Sequence, residues 1–394
     1  MNPYPLSNSR AFLLMEGGPL YRIEKRLGLI RAHTGLTKRR AVFAAALTWL
    51  PLFILSALQG RAFGHSVPVS FLRDFSTYSR FLLAIPLLLL AELILGPRIA
   101  GAAEHFVTSG VVISPDFERF DHAVKEGLRL RDSVVAEIAI ALLTYVVTIT
   151  VFWETAIHES TWYAIRTNTG VSITWAGWWL ILFCVPFQQF LVLRWLWRLF
   201  LWFHFLGHIR TLDIQLFPTH PDEAGGIGFV GEAQKFFGIF LFAYSAGATG
   251  VIANEVVYDK IPLTHFGPAI AAYVVIAMLL IVGPLAIFSS KLLNAKRVGL
   301  RQYGTLATTY TGSFHNKWIR GDNPQQETLL GTSDIQSLAD LGNSYAFVER
   351  MNALPINPRV LIHLAVAALL PLTPLLLTVM PLKDVLKLLF KVLM

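Results

Sequence analysis

Residues 167–193 carry no charged side chain, and from Trp175 the chain reads WAGWWLILFCVPFQQFLVLRWLWRLFLWFHFLGHIR, with Arg194 and Arg198 the first charges it meets. A bilayer core takes about 20 consecutive apolar residues in helical form. A run of this length without charge belongs in lipid, where only a helix or a closed barrel satisfies its own backbone. Seven of the ten tryptophans lie between Trp162 and Trp202, as expected of an aromatic belt.

Six other stretches repeat the pattern: 41–58, 81–96 broken only by Glu92, 134–153 with Glu137 near its start, 236–254, 266–290 and 360–382. Gly96-Pro97 is expected to end the second, because proline disfavours helix in the residue before it. Gly283-Pro284 is expected to kink the sixth, and Pro371 and Pro374 either bend the seventh or turn it back as a re-entrant hairpin. With 54% apolar and only 15% charged residues, against about a quarter charged in soluble domains, the expected fold is an all-α polytopic membrane protein of about seven transmembrane helices.

Lysine and arginine counts set the orientation. With the N-terminus in the cytoplasm, segments 1–40, 97–133, 206–235 and 290–359 hold 8, 5, 2 and 8 basic residues. Segments 60–80, 154–174, 256–264 and 381–394 hold 3, 1, 1 and 3, a division of 23 against 8. The positive-inside rule favours this arrangement. The net charge of +8 is then expected to face anionic lipid rather than nucleic acid. The expected location is a bacterial inner membrane, with membrane lipids as partners and a homo-oligomer or a cytoplasmic protein partner as further expectations. The first forty residues hold no long apolar run, so no cleaved leader is expected. The one cysteine, Cys184, excludes an internal disulfide and a cysteine-based zinc site.

The expected organisation is a segment 1–40 with an interfacial helix, a membrane domain 41–382, and an amphipathic helix 383–394. The domain carries cytoplasmic helical insertions at 97–133, 206–235 and 290–359. Leu20, Ile23, Leu27 and Ile30 recur at helical spacing among basic residues, the mark of a surface helix. Ser114-Pro115-Asp116 reads as a helix start. Ser333 to Gln336 has capping-box spacing, and residues 310–330 read as a loop.

Charge inside a span is costly and points to function by default. Glu92, Glu137, Gln188, Gln189, Arg194 and Arg198 are therefore the candidate intramembrane polar cluster or transport path. Arg194 and Arg198 share a helix face. Their plainer reading is snorkelling to the headgroups, and that of the two acids is a structural ion pair. His204 and His208, one turn apart, with His220 and Asp222 across a Pro218–Pro221 turn, form a candidate site for a divalent metal; His105 and His122 lie where they could complete it. Gly225, Gly226 and Gly228 form either a phosphate-binding cradle or a hinge, and no Walker pattern follows them. Small residues along 243–250 are expected to allow close helix contact. No Ser-His-Asp, HExxH or paired-acid pattern appears. The expected function is transport or channel activity for a small solute or ion, an anion by the arginines. Two alternatives stay open: a membrane-embedded enzyme with a cytoplasmic metal or phosphate site, and a scaffold or sensor binding a cytoplasmic protein.

Overall fold

The computed structural model describes residues 12–26, 35–64, 67–156, 161–167, 170–321, 329, 331–379 and 383; the expected C-terminal helix beyond 383 and all of 27–34 lie outside them. The chain runs through α1 (Pro19–Arg26), α2 (Gly35–Leu58), α3 (Phe75–Thr108), α4 (Ser114–Arg131) and α5 (Val134–Ala156). A hairpin follows, β1 (Ala164–Thr167) antiparallel to β2 (Gly170–Ile173), with Ala164 opposite Ile173 and Thr167 opposite Gly170. Then come α6 (Trp175–Thr211), α7 (Gly228–Val257), α8 (Leu263–Ile319), α9 (Ser333–Arg350) and α10 (Pro358–Thr378).

The fold is all-α and of the polytopic membrane kind. Helices α2, α3, α6, α7, α8 and α10 are each long and apolar enough to cross a membrane, and α4 with α5 passes the same test as a pair bent by 44°. The outward faces explain why water cannot be the solvent here. Val135 is 77% exposed and Ile276 62%, and Leu142, Val146, Val275 and Leu279 lie open beside them. A soluble monomer does not carry contiguous apolar surface of that extent.

Several boundaries differ from those read in the sequence. Helix α3 does not end at Gly96-Pro97 but runs through Pro97 for a total of 34 residues. Gly96 serves packing instead, since a Cβ there would sit 3.2 Å from Met15 Cγ. Helix α8 is 57 residues long and carries the chain to Ile319, so 310–319 is helix and not loop. Tyr310, Lys317 and Trp318 are tied to the start of α9, all through Asp334. Gly283–Phe288 tightens to a 3-10 segment at the expected kink, and Leu370–Thr378 does the same around Pro374 without reversing the chain. The cap of α9 is Thr332, with no side-chain cap bond, so Ser333 is the first helical residue rather than the cap.

Helices α3 and α6, at 34 and 37 residues, exceed the roughly 20 needed to cross. Their C-terminal thirds build a second layer with α4, on the side that carries the N-terminal segment. Phe205 is its centre, 4.5 Å from the Phe12 ring and 5.8 Å from Phe120. The segment before α7 is stitched in by main-chain bonds, Gln215 N–H to Val111 O at 2.8 Å and Asn352 N–H to Glu223 O at 2.7 Å. The opposite side of the molecule carries the β-hairpin.

Candidate functional site

Two polar regions lie inside the bundle. The first centres on Glu92 of α3. Arg198 Nη1 donates to Glu92 Oε1 at 2.7 Å, and Arg40 Nη1 donates to Oε2 at 2.8 Å. Arg40 Nε lies 2.9 Å from Glu24 Oε1, and Arg194 Nη1 lies 3.9 Å from Glu92 Oε1. Arg198 also donates to Met15 O at 3.2 Å and sits over the Trp195 ring. None of the Arg40, Arg194, Arg198 and Glu92 side chains is more than 9% exposed. Arg194 and Arg198 therefore turn into the bundle instead of snorkelling outward. Five charges sum to +1, and Arg194 Nη1, Arg40 Nη2 and Glu24 Oε2 are buried without a hydrogen-bond partner. Burial pushes the Glu24 carboxyl above its usual range, against the pull of Arg40.

Glu137 is not part of this cluster. It accepts Leu20 N–H at 2.8 Å, while Asp132 accepts Gly18 N–H at 2.8 Å. The two carboxylates satisfy free donors at the start of α1, where negative charge complements the helix dipole. They seat α1 so that Glu24 reaches Arg40.

The second region surrounds Arg80. A cavity of about 720 Å³ opens between α3, α6, α7 and the hairpin and is lined by Asp74, Thr77, Arg80, Thr148, Tyr163 and Asn254, with Glu255 and Asp259. A second one of about 480 Å³ is lined by Arg80, Gln188, Gln189, Tyr244 and Gly247. Arg80 belongs to both. Among the described residues its guanidinium makes no hydrogen bond or ion pair. The nearby carboxylate that would neutralise it is engaged elsewhere. Asp74 Oδ2 accepts Trp162 Nε1 at 2.8 Å, and Oδ1 accepts Asn254 Nδ2 at 2.6 Å as well as the Ser76 N–H and hydroxyl.

The backbone is unusual on both walls. Tyr78–Ala84 in α3 and Leu180–Cys184 in α6 are π-helical turns, and such turns concentrate at functional sites. Glycines of α7 let the wall close up. A Cβ at Gly250 would overlap Ser79 Oγ and the Phe75 carbonyl, and one at Gly247 would lie 3.2 Å from Gln188 Nε2. The small residues of α7 thus pack within the chain, against α3 and α6.

Of the candidate path, Gln188 and Gln189 line the second cavity, and Gln189 Oε1 accepts from Thr148 at 3.1 Å. Glu92, Arg194 and Arg198 form the separate ion cluster. Residues 80, 92 and 188–198 lie on only two helices. About 1.5 Å per residue puts the Arg80 and Glu92 backbones roughly 18 Å apart. The order along the bundle from the hairpin is the first cavity, Arg80, the second cavity, the ion cluster.

The metal candidates divide. His204 Nε2 lies 3.3 Å and His208 Nε2 3.2 Å from the two carboxylate oxygens of Glu126 on α4. His220 pairs instead with its own neighbour, Nδ1 to Asp222 Oδ1 at 2.7 Å. The glycine segment does form an N–H cradle, but the anion it holds is Asp222, which accepts from Ala224, Gly226 and Gly228 at 2.8 to 3.1 Å. Burial opposes charge on Asp222, but those N–H groups hold its carboxyl below its usual range.

Arg40, Glu24, Arg80, Asp74 and Glu126 were not singled out by sequence pattern. Arg40 stood in a basic run before the first span, and Arg80 among loop charges. A signal did exist for Arg80: the residues after it, FLLAIPLLLLAELILG, are apolar but for Glu92, which puts an arginine within one turn of a span. Comparison of the chain with protein-family models, with curated proteins and with solved structures finds no match.

Proposed function

We propose that the protein admits a small polar solute into the bundle from the hairpin side and passes it toward the opposite side. An anionic group of the solute would seat against Arg80. The observation that carries this reading is Arg80 itself, an arginine whose guanidinium makes no ion pair or hydrogen bond among the described residues, shared by two cavities. Charge at membrane depth is expensive unless it meets a partner or water. The volume fits a small-molecule site of about 300–1,000 Å³. Glu255 and Asp259 at the rim disfavour a multivalent anion and favour a monoanion or a zwitterion. The Glu92 cluster closes the inner end, and its unpartnered Arg194 Nη1 is the next positive group a passing anion would reach. Helix breaks beside a solute site are a recurring feature of transporters, and the two π-helical turns stand in that relation to the cavities.

The experiment is uptake of acetate and of glycine by proteoliposomes containing the full chain. Uptake of either above protein-free liposomes, lost in Arg80→Gln, is the expected result. No uptake of either, together with no effect of either on thermal unfolding, removes the reading. A second reading rests on a different observation. The end of α8 and the start of α9 leave Leu306, Ile319 and Ile335 open at 51%, 67% and 45%, as a surface for a protein partner would. A stoichiometric partner retained in purification, with no uptake, would favour that scaffold role.

A further inference from the structure

Glu126, His204 and His208 meet where α4 crosses the C-terminal third of α6, away from both cavities. We propose that these three side chains, with His122 as a fourth donor, form a binding site for a divalent cation of the zinc type that clamps α4 to α6. One ligand atom from each of the three falls within 4.8 Å of the others.

The spacing is the first argument. Zinc holds nitrogen and oxygen ligands at about 2.0–2.1 Å in a tetrahedron, which places neighbouring ligand atoms about 3.3 Å apart. The two nitrogen-to-oxygen separations here, one histidine to each oxygen of the Glu126 carboxylate, are 3.3 and 3.2 Å. The backbone presents the donors in pairs, since His204 and His208 lie one turn apart on α6 and His122 and Glu126 one turn apart on α4. His122 Nδ1 is already 3.8 Å from Glu126 Oε2, and its exposed side chain is free to turn inward.

The second argument is the tautomer. His208 Nδ1 lies 3.0 Å from the His204 carbonyl oxygen. A carbonyl can only accept, so Nδ1 carries a proton, and whenever the ring is neutral a bare lone pair at Nε2 faces Glu126. A lone pair facing a carboxylate oxygen at 3.2 Å is repulsive until a proton or a cation lies between them. A backbone acceptor on the far nitrogen is also the usual outer support of a histidine ligand. Sequence spacing had matched His204 and His208 with His220 and Asp222. The geometry replaces those two, which hold each other and the glycine cradle.

The test uses full-length protein in detergent, without a polyhistidine tag, stripped with chelator and titrated with Co²⁺ and then Zn²⁺. The expected result is one Co²⁺ per chain with the visible absorption of a tetrahedral site, displaced by one Zn²⁺. Glu126→Gln and His208→Gln should each weaken binding at least about tenfold, the scale at which even outer-shell losses act, while His220→Gln binds as the wild type does. If a variant fails to fold, the wild-type spectrum decides alone. No tetrahedral Co²⁺ signature, or undiminished binding in folded Glu126→Gln and His208→Gln, overturns the proposal.

Discussion

Arg198 and Arg80 are both arginines in apolar helices, and the molecule treats them in opposite ways. Arg198 is 3% exposed, shares a 2.7 Å bond with Glu92 and gives a second donor to Met15. Arg80 is half-buried, faces two cavities and is left without an ion pair among the described residues, although Asp74 lines the same space. The difference is where the carboxylate is spent. Among the described residues Glu92 accepts only from arginines. Asp74 is saturated by Trp162, Asn254 and Ser76, which fix the hairpin and α7 against α3. Arg198 is enclosed with its partner, and Arg80 faces cavity space beside a carboxylate that is already engaged.

The largest effect that could break this comparison lies at Glu92. Glu92→Gln leaves Arg40, Arg194 and Arg198 buried without their shared carboxylate. Breaking a buried pair by removing one partner costs about 3–5 kcal/mol. Thermal unfolding in detergent should show a loss of that order, and a variant as stable as the wild type would mean that water already reaches the cluster.

That cluster also shows how far sequence reasoning reaches. The charge-free runs carry the helices, because lipid leaves the backbone no alternative. Glu92, Arg194 and Arg198 were legible as a group because helical rise puts them at one depth. Arg40 was not, because a Lys-Arg-Arg run before a span looks like a stop at the interface, and only the docking of α1 buries its last member. Gly96-Pro97 looked like a terminus, when the glycine answers a Met15 contact distant in sequence. The cavities were illegible for the same reason, since periodicity assigns a face to a helix but not the helix it meets. Residue 80 counted as loop until α3 was seen to begin at Phe75.

The next effect sharpens the Arg80 side. Gly250→Ala places a Cβ against Ser79 Oγ and the Phe75 carbonyl, and the second of these is backbone and cannot swing away. Overpacking of this kind costs about 1–3 kcal/mol. Gly247→Ala meets the flexible Gln188 amide at 3.2 Å and should cost less than Gly250→Ala in the same melt. The reverse order would mean that α3 and α7 are not held as closely as the Ser79 contact requires.

A smaller effect concerns a carboxylate that, like Asp74, is spent on structure, but lies outside the spans. Asp222→Asn replaces one acceptor oxygen by NH2, set against the N–H of Gly228 or, if flipped, those of Ala224 and Gly226, and should cost about 1–2 kcal/mol at neutral pH. The folded pKa of Asp222 is depressed, so its contribution is complete above the unfolded value of about 3.9. It is lost as pH falls through the lower folded value. The stability gap between wild type and Asp222→Asn should be flat from about pH 5 to 7 and narrow below about pH 4. A gap that is unchanged at pH 3 would show that the loop is held by something other than that charge.

The smallest expected effect on stability is at Arg80, and its smallness separates the two arginines. Arg80→Leu removes a charge that has no partner to strand among the described residues, unlike the loss of either partner in the Glu92 cluster. It also removes the desolvation that the guanidinium suffers beside apolar walls. The stability change without added solute should lie within about 1 kcal/mol of zero, the size of an ordinary substitution away from a buried network, and a small gain is compatible with the argument. Any bound anion alters only the wild type, because a ligand that binds the folded state stabilises it by RT ln(1 + [L]/Kd). Melts of wild type and Arg80→Leu should therefore coincide in a low-salt buffer and separate as acetate is added. A large loss in Arg80→Leu with no acetate present would place Arg80 with Arg198, as a structural charge whose partner lies outside the described residues.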